Sequence, residues 1–204
     1  WDHLGYPSVV ALEPKVDKVI CPLGVGAFFE QWKYPKDKIL EGDWNDKFEI
    51  GEDLTVHILP ARHYSGRLFT RNKTLWAGFA MKTPDLSIFF SGDSGYGPHF
   101  SEIGEAFGGF DLALMDCGQY DPRWAYIHMN PEEAAQAAQD IGARYLLPAH
   151  IGRFTIANHP WDEPFTRITD ASRGKQYNLV TPEIGEPVML DAPSSRFSDW
   201  WAKK

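Results

Sequence analysis

Four short segments of this 204-residue chain place a histidine or an aspartate just after an apolar run or a turn-forming residue. They are Trp1-Asp2-His3, Pro60-Ala61-Arg62-His63, Ser91-Gly92-Asp93 and Pro148-Ala149-His150. Imidazole nitrogens mixed with carboxylate oxygens are the donors that zinc and other divalent transition metals take. Such a metal acidifies water and stabilises charge developing on a phosphoryl or carbonyl oxygen, so the chemistry to expect is hydrolysis. Taken singly, each signal is weak. His63 also reads as an exposed loop histidine, Asp93 as a turn acid, and His150 as a partner for a backbone carbonyl. The combination carries the expectation.

Other residues are more ambiguous. His128, in Tyr126-Ile127-His128-Met129-Asn130-Pro131, reads equally as a histidine packed at a helix start and as a group facing a cleft. Asp116 and Gln119 follow another apolar run; Asp116 would suit an acid that orients a metal-bound histidine. His99 marks the start of a local helix, His159 reads equally as a loop-packing group and a substrate contact, and His57 sits in mid-strand. Tyr64, Tyr96, Tyr120 and Trp124 could wall a cleft, although core packing is the default for aromatic residues. Arg62, Arg67 and Arg123 could complement phosphate or pair with the chain's abundant carboxylates.

The elements that must position these groups follow from periodicity. Leu4–Leu12 includes a short helix, Val19-Ile20-Cys21 is a strand closed by Pro22, and Gly24–Trp32 has helical spacing. Leu54–Leu59 alternates as a strand with Leu54, Val56 and Ile58 on one face, and Phe48 and Ile50 precede it. Trp76–Met81, Leu86–Phe90, Phe110–Met115 and Arg144–Pro148 are further strands. A helix starts at Asn130, with Pro131 in its first turn, Glu133 completing a capping box, and Gly142 as its stop. Tyr177–Val180 and Gly185–Leu190 are expected as late strands. The aromatic end Trp200-Trp201-Ala202-Lys203-Lys204 reads as a packed extension or an oligomer contact. The sum is a strand-rich α/β arrangement, taken as one domain over 1–204.

Composition narrows the partners. A formal net charge of −8 argues against duplex nucleic acid or an anionic membrane as a bulk electrostatic partner. It does not exclude a small anionic substrate, because a bound metal reverses the sign locally. Cys21 and Cys117 lie far apart and read as two buried free thiols, favouring a cytoplasmic setting. No stretch approaches the length and apolarity of a transmembrane segment.

With these motifs assembled, the chain resembles the metallo-β-lactamase superfamily. More narrowly, it is similar to the branch containing N-acyl-phosphatidylethanolamine phospholipase D and L-ascorbate-6-phosphate lactonase. Trp1-Asp2-His3-Leu4-Gly5 resembles the end of the family's H-x-H-x-D-H motif. The segments around His63, Asp93 and His150 resemble the later ligand motifs, in order, and the likeness runs over nearly all of residues 1–165. The resemblance implies an αββα sandwich, incomplete at its N-terminus if the chain is cut inside its first motif. It also implies two ions, zinc with manganese or iron as alternatives. Asp2, His3 and His150 would hold one. His63 and two histidines expected just before Trp1 would hold the other, with Asp93 bridging. Asp2 would also assist a water nucleophile, and His128 would contact a substrate phosphate or leaving group.

The expected activity is metal-dependent hydrolysis of a phosphodiester, in the manner of a phospholipase D. Lactone hydrolysis is the enzymatic alternative, and a non-catalytic metal-binding or structural role is the other class. An apolar groove beside the ligands would favour lipid; a compact polar pocket would favour a small phosphorylated sugar or lactone.

Overall fold

The computed structural model describes residues 3–67, 70–191 and 197–202. In chain order the elements are α1 (Tyr6–Leu12), β1 (Val19–Pro22), α2 (Gly26–Gln31), β2 (Ile39–Gly42), β3 (Lys47–Ile50) and β4 (Leu54–Leu59). Next come β5 (Gly66–Arg67), β6 (Thr70–Arg71), β7 (Gly78–Lys82), β8 (Ser87–Phe90), α3 (His99–Phe107) and β9 (Phe110–Asp116). The remainder are α4 (Pro131–Asp140), β10 (Ala143–Ala149), α5 (Glu163–Ala171) and β11 (Asn178–Leu179).

A seven-stranded mixed sheet runs in the order β11-β10-β9-β8-β7-β4-β3. β4 is antiparallel to β7 and β7 to β8, while β8, β9 and β10 are mutually parallel. It follows that β4, β8, β9 and β10 point the same way, and their carboxyl ends share one edge of the sheet. In open α/β sheets that edge is where ligands bind. Each of the three later ligand motifs begins where one of these strands stops.

Helices α3, α4 and α5 contribute to the main core with apolar stripes. In α4 this stripe is Ala134, Ala137 and Ala138, continued by Ile141, all without solvent contact, against Phe89, Ala113, Met115 and Leu146 of the strands. Small alanines let a helix approach a sheet closely. The expected capping box is present: Asn130 Oδ1 accepts from Glu133 N–H at 2.9 Å, and Glu133 Oε2 accepts from Asn130 N–H at 3.0 Å.

β1 and β2 form a parallel pair outside the large sheet. With α1 and α2 they enclose a smaller core of Val9, Cys21, Phe29 and Tyr34, where the Tyr34 hydroxyl donates to Val9 O at 2.6 Å. The architecture is the expected α/β sandwich, with the second layer represented among the described residues by this strand pair. Both cysteines are free and buried, as expected.

Several elements differ from expectation. Gly185–Leu190 is not a strand: Pro187 has no N–H for a ladder, and Ile184 and Met189 on either side of it are 82% and 64% exposed. β7 begins at Gly78, leaving Trp76 outside the ladder. α5 has Pro164 in its first turn and buries Phe165 and Ile168. The C-terminal aromatic residues are a packed extension, with Trp201 stacked on Phe165 at 4.9 Å and Trp200 Nε1 donating to Thr181 O.

Candidate metal centre

Asp93 lies just beyond β8, after Gly92. Gly92 has φ of +60°, and a Cβ there would lie 2.4 Å from Ala77 O, so both backbone conformation and space require glycine. The next residues fasten the His63 loop to this turn. Ser94 Oγ accepts from Arg62 N–H at 2.9 Å, and Gly95 N–H donates to Arg62 O at 2.9 Å. Gly95 also packs under the segment bearing His128; a Cβ there would lie 2.1 Å from Tyr126 O. Two motifs far apart in sequence are thus held in register by backbone contacts.

The side chains converge on Asp93. His3 Nε2 is 2.9 Å from Asp93 Oδ2, and His150 Nδ1 is 3.8 Å from Asp93 Oδ1. The rings of His63 and His128 lie 5.1 Å apart, and those of His128 and His150 5.2 Å apart. Two groups of potential ligand atoms share the aspartate: His3, Asp93 and His150 form one, and His63, Asp93 and His128 the other. Asp2, expected beside His3, lies outside the described residues, as does the Arg67 side chain.

Hydrogen bonds set the ring tautomers. His63 Nδ1 faces Tyr64 O at 2.7 Å, and a carbonyl can only accept, so Nδ1 carries the proton and Nε2 keeps its lone pair. That Nε2 is buried and has no hydrogen-bond partner. An orphaned, deprotonated imidazole nitrogen beside a carboxylate is costly in a bare protein and fits a divalent metal. His128 Nδ1 is held by Asp116 Oδ2 at 2.8 Å, which turns its Nε2 outward in the same sense.

Asp116, fully buried at the end of β9, organises the second tier. Oδ2 accepts from Ser94 N–H and His128; Oδ1 accepts from Gly118 N–H and faces His150 Nδ1 at 3.4 Å. His150 itself has φ of +63°, a conformation rarely adopted outside glycine, and such strain clusters at functional sites.

The electrostatics follow from this packing. Burial opposes ionisation of Asp93, but the hydrogen bond from His3 and the charges of His150, His3 and His128 outweigh it and hold the carboxyl at about 2. Burial pushes His63 below the ordinary imidazole value. Burial also disfavours charge on His150, yet the Asp116 hydrogen bond and the Asp93 and Asp116 charges raise its affinity for a proton. The site is therefore an anionic hollow that favours positive charge.

An open cleft of about 970 Å³ leads to it. Among the described residues Asp93 is the one carboxylate on its lining, while Arg71 and Lys73 bring positive charge. Its apolar wall includes Leu4, Val25, Phe28, Trp76, Trp124 and Ile156. Of the aromatic residues weighed from sequence, Tyr64 and Trp124 line the cleft. Tyr96 instead bonds Asp140, and Tyr120 stacks on His159 at 4.2 Å. Arg123 pairs with Asp121. His99 opens α3 and contacts Ser94 Oγ at 3.3 Å, where burial and Arg62 lower it to about 4. His57 packs edge-on against Phe107.

Comparison with known proteins agrees with the geometry. The β-lactamase superfamily domain model matches residues 1–151. The chain belongs to the metallo-β-lactamase superfamily. An uncharacterised protein of Mycobacterium tuberculosis is 42% identical over 205 residues, covering 98% of this chain and 55% of the relative. N-acyl-phosphatidylethanolamine-hydrolyzing phospholipase D 1 of Caenorhabditis elegans is 31% identical, covering 91% of this chain and 57% of the relative. The chain thus spans little more than half the length of these relatives. Among solved structures, the metallo-hydrolase Igni18 of Ignicoccus hospitalis superposes with a TM-score of 0.70 at 19% identity, covering 92% of this chain and 74% of that one. This last likeness concerns the fold of the superfamily. The His/Asp groups around Asp93 are consistent with a divalent metal cofactor, as a metal-dependent hydrolase of this superfamily requires.

Proposed function

We propose that this chain carries the catalytic centre of a metal-dependent phosphodiesterase of phospholipase-D type. The observation that supports it best is the cleft: a metal-ligand cluster at its base, an apolar wall beside it, and Arg71 and Lys73 as counter-charges for an anionic amphiphile. The similarity to a phospholipase D from Caenorhabditis elegans points the same way.

In this reading His3, His150 and Asp2 would hold one ion, His63 would contribute to a second, and Asp93 would be shared by both. Zinc suits these ligands best; manganese or iron would also be accepted by nitrogen and carboxylate. When bound, the metals supply Lewis acidity and lower the pKa of water. Asp2 would align or deprotonate the attacking water. His128, fixed through Nδ1 by Asp116, presents Nε2 to the phosphoryl oxygens or to the leaving alkoxide. The apolar wall takes the acyl or alkyl part of the substrate.

Lactone hydrolysis is the second reading, because the same centre can attack a carbonyl and the cleft is open rather than closed around one ligand. Zinc-loaded protein offered a phospholipid phosphodiester and a sugar lactone separates the two. Turnover of the phosphodiester is the expected result. Opening of the lactone with the phosphodiester untouched would replace the substrate class and keep the hydrolase.

A further inference from the structure

One wall of the cleft is a loop with no regular structure. Residues 150–161 lack helix and strand, and Phe154 and Ile156 are 58% and 63% exposed, yet Ile156 reaches the cleft lining. Loops so exposed do not hold a fixed shape through apolar burial. The backbone groups of Phe154, Ile156 and Ala157 are held by a single side chain.

Gln119 lies just past β9, 4% exposed, in the left-handed region at φ of +57°. Its amide is used from both ends. Oε1 accepts from Ile156 N–H at 2.8 Å and Ala157 N–H at 3.3 Å. Nε2 donates to Phe154 O at 3.1 Å and, more weakly, to His150 O at 3.5 Å. The Gln119 backbone N–H donates to His159 Nε2 at 3.0 Å, and its carbonyl accepts from Trp124 Nε1 at 2.7 Å. Neighbouring residues extend the grip: Asn158 Nδ2 donates to Asp121.

We infer that Gln119 is a positioning residue that clasps the 154–159 loop and so sets the apolar wall by which the cleft selects its substrate. The inference rests on the phosphodiesterase reading for the kind of substrate selected, but not for the clasp itself. A primary amide can accept two loop N–H groups and donate to a loop carbonyl at once; alanine can do neither, and a carboxylate can only accept. Releasing the loop would move Ile156 and expose the backbone on either side of it. It would leave His63, Asp93 and His128 in place, because their supports run through Ser94, Gly95 and Asp116.

The test compares zinc-loaded wild-type protein with Gln119→Ala and Ile156→Ser, without requiring turnover. Exposed Arg153 makes the loop a trypsin site, so cleavage after Arg153 reports its opening. Tryptophan fluorescence titrations with dodecylphosphocholine and glycerophosphocholine report the preference for an alkyl chain. The expected result is cleavage about tenfold faster in Gln119→Ala, as local opening replaces a held loop. The preference for the alkyl ligand should fall by about tenfold in the same variant, the weight of one or two buried methylenes. Ile156→Ser should lose that preference with cleavage unchanged; if Gln119→Ala fails to fold, Gln119→Glu, which keeps the acceptors for Ile156 and Ala157 but loses the donor to Phe154 O, is read in its place and should likewise be cleaved faster. Unchanged cleavage and preference in Gln119→Ala, or no chain preference in the wild type, would overturn the inference. Absent phosphodiester turnover would contradict the functional reading instead.

Discussion

Asp116 makes no contact with solvent and gathers four polar groups onto one carboxylate, two of them the imidazoles of His128 and His150. It fixes the ring orientation of both histidines, the usual role of an outer carboxylate behind metal-bound histidines. Asp116→Asn keeps the volume but cannot accept at both oxygens. We expect zinc affinity to fall by about 10–100-fold with the fold intact, measured by competition with a chelating dye and checked by circular dichroism. Unchanged affinity would remove Asp116 from the site. His63, Asp93 and His150 were legible in sequence because each stands a few residues beyond a strand with a turn-former beside it. The tautomer of His63 and the link from His128 to Asp116 were not, since they depend on partners brought together only by the folded chain. Gln119 carried almost no sequence signal: its work is done through residues 31 to 38 positions away.

The elements that read clearly were those whose local chemistry agreed with their tertiary role. Strands β4, β8, β9 and β10 are apolar runs closed by turn residues, and α4 has its cap, its first-turn proline and its alanine face. That helix begins three residues after His128, so its N-terminal geometry also places a site residue. Asn130→Ala removes the capping oxygen and should lower stability by about 1 kcal/mol, read from urea unfolding. A change within a few tenths would mean that α4 is held by packing alone. The β5–β6 hairpin and β2 escaped notice because two to four residues give too short a pattern to count. Gly185–Leu190 had the opposite fault: apolar residues in a row, but a proline where a ladder N–H was needed and no strand alongside. α5 carries a cue in Pro164, Phe165 and Ile168, but its threonines and charges blur the apolar stripe.

At the scale of the whole molecule, strand direction is what builds the site. β7 reverses the chain between β4 and β8, and so brings the His63 loop to the same edge as Asp93, Asp116 and His150. The layer made by α1, α2 and the β1–β2 pair then supplies Leu4, Val25 and Phe28 as the opposite wall of the cleft. None of this follows from local periodicity, which leaves a parallel sheet and a sandwich equally open; the ordered motifs decided between them. Among the described residues no helix is long and apolar enough to cross a membrane.

The central claim is that the cluster around Asp93 is a metal centre that drives hydrolysis. It is tested most directly by stripping the protein with a chelator, titrating zinc back, and following cleavage of a phospholipid phosphodiester in the wild type and Asp93→Asn. The account predicts no cleavage without metal, saturable recovery in the wild type, and none in the variant. Cleavage that survives chelation, or recovery in Asp93→Asn equal to the wild type, would contradict it.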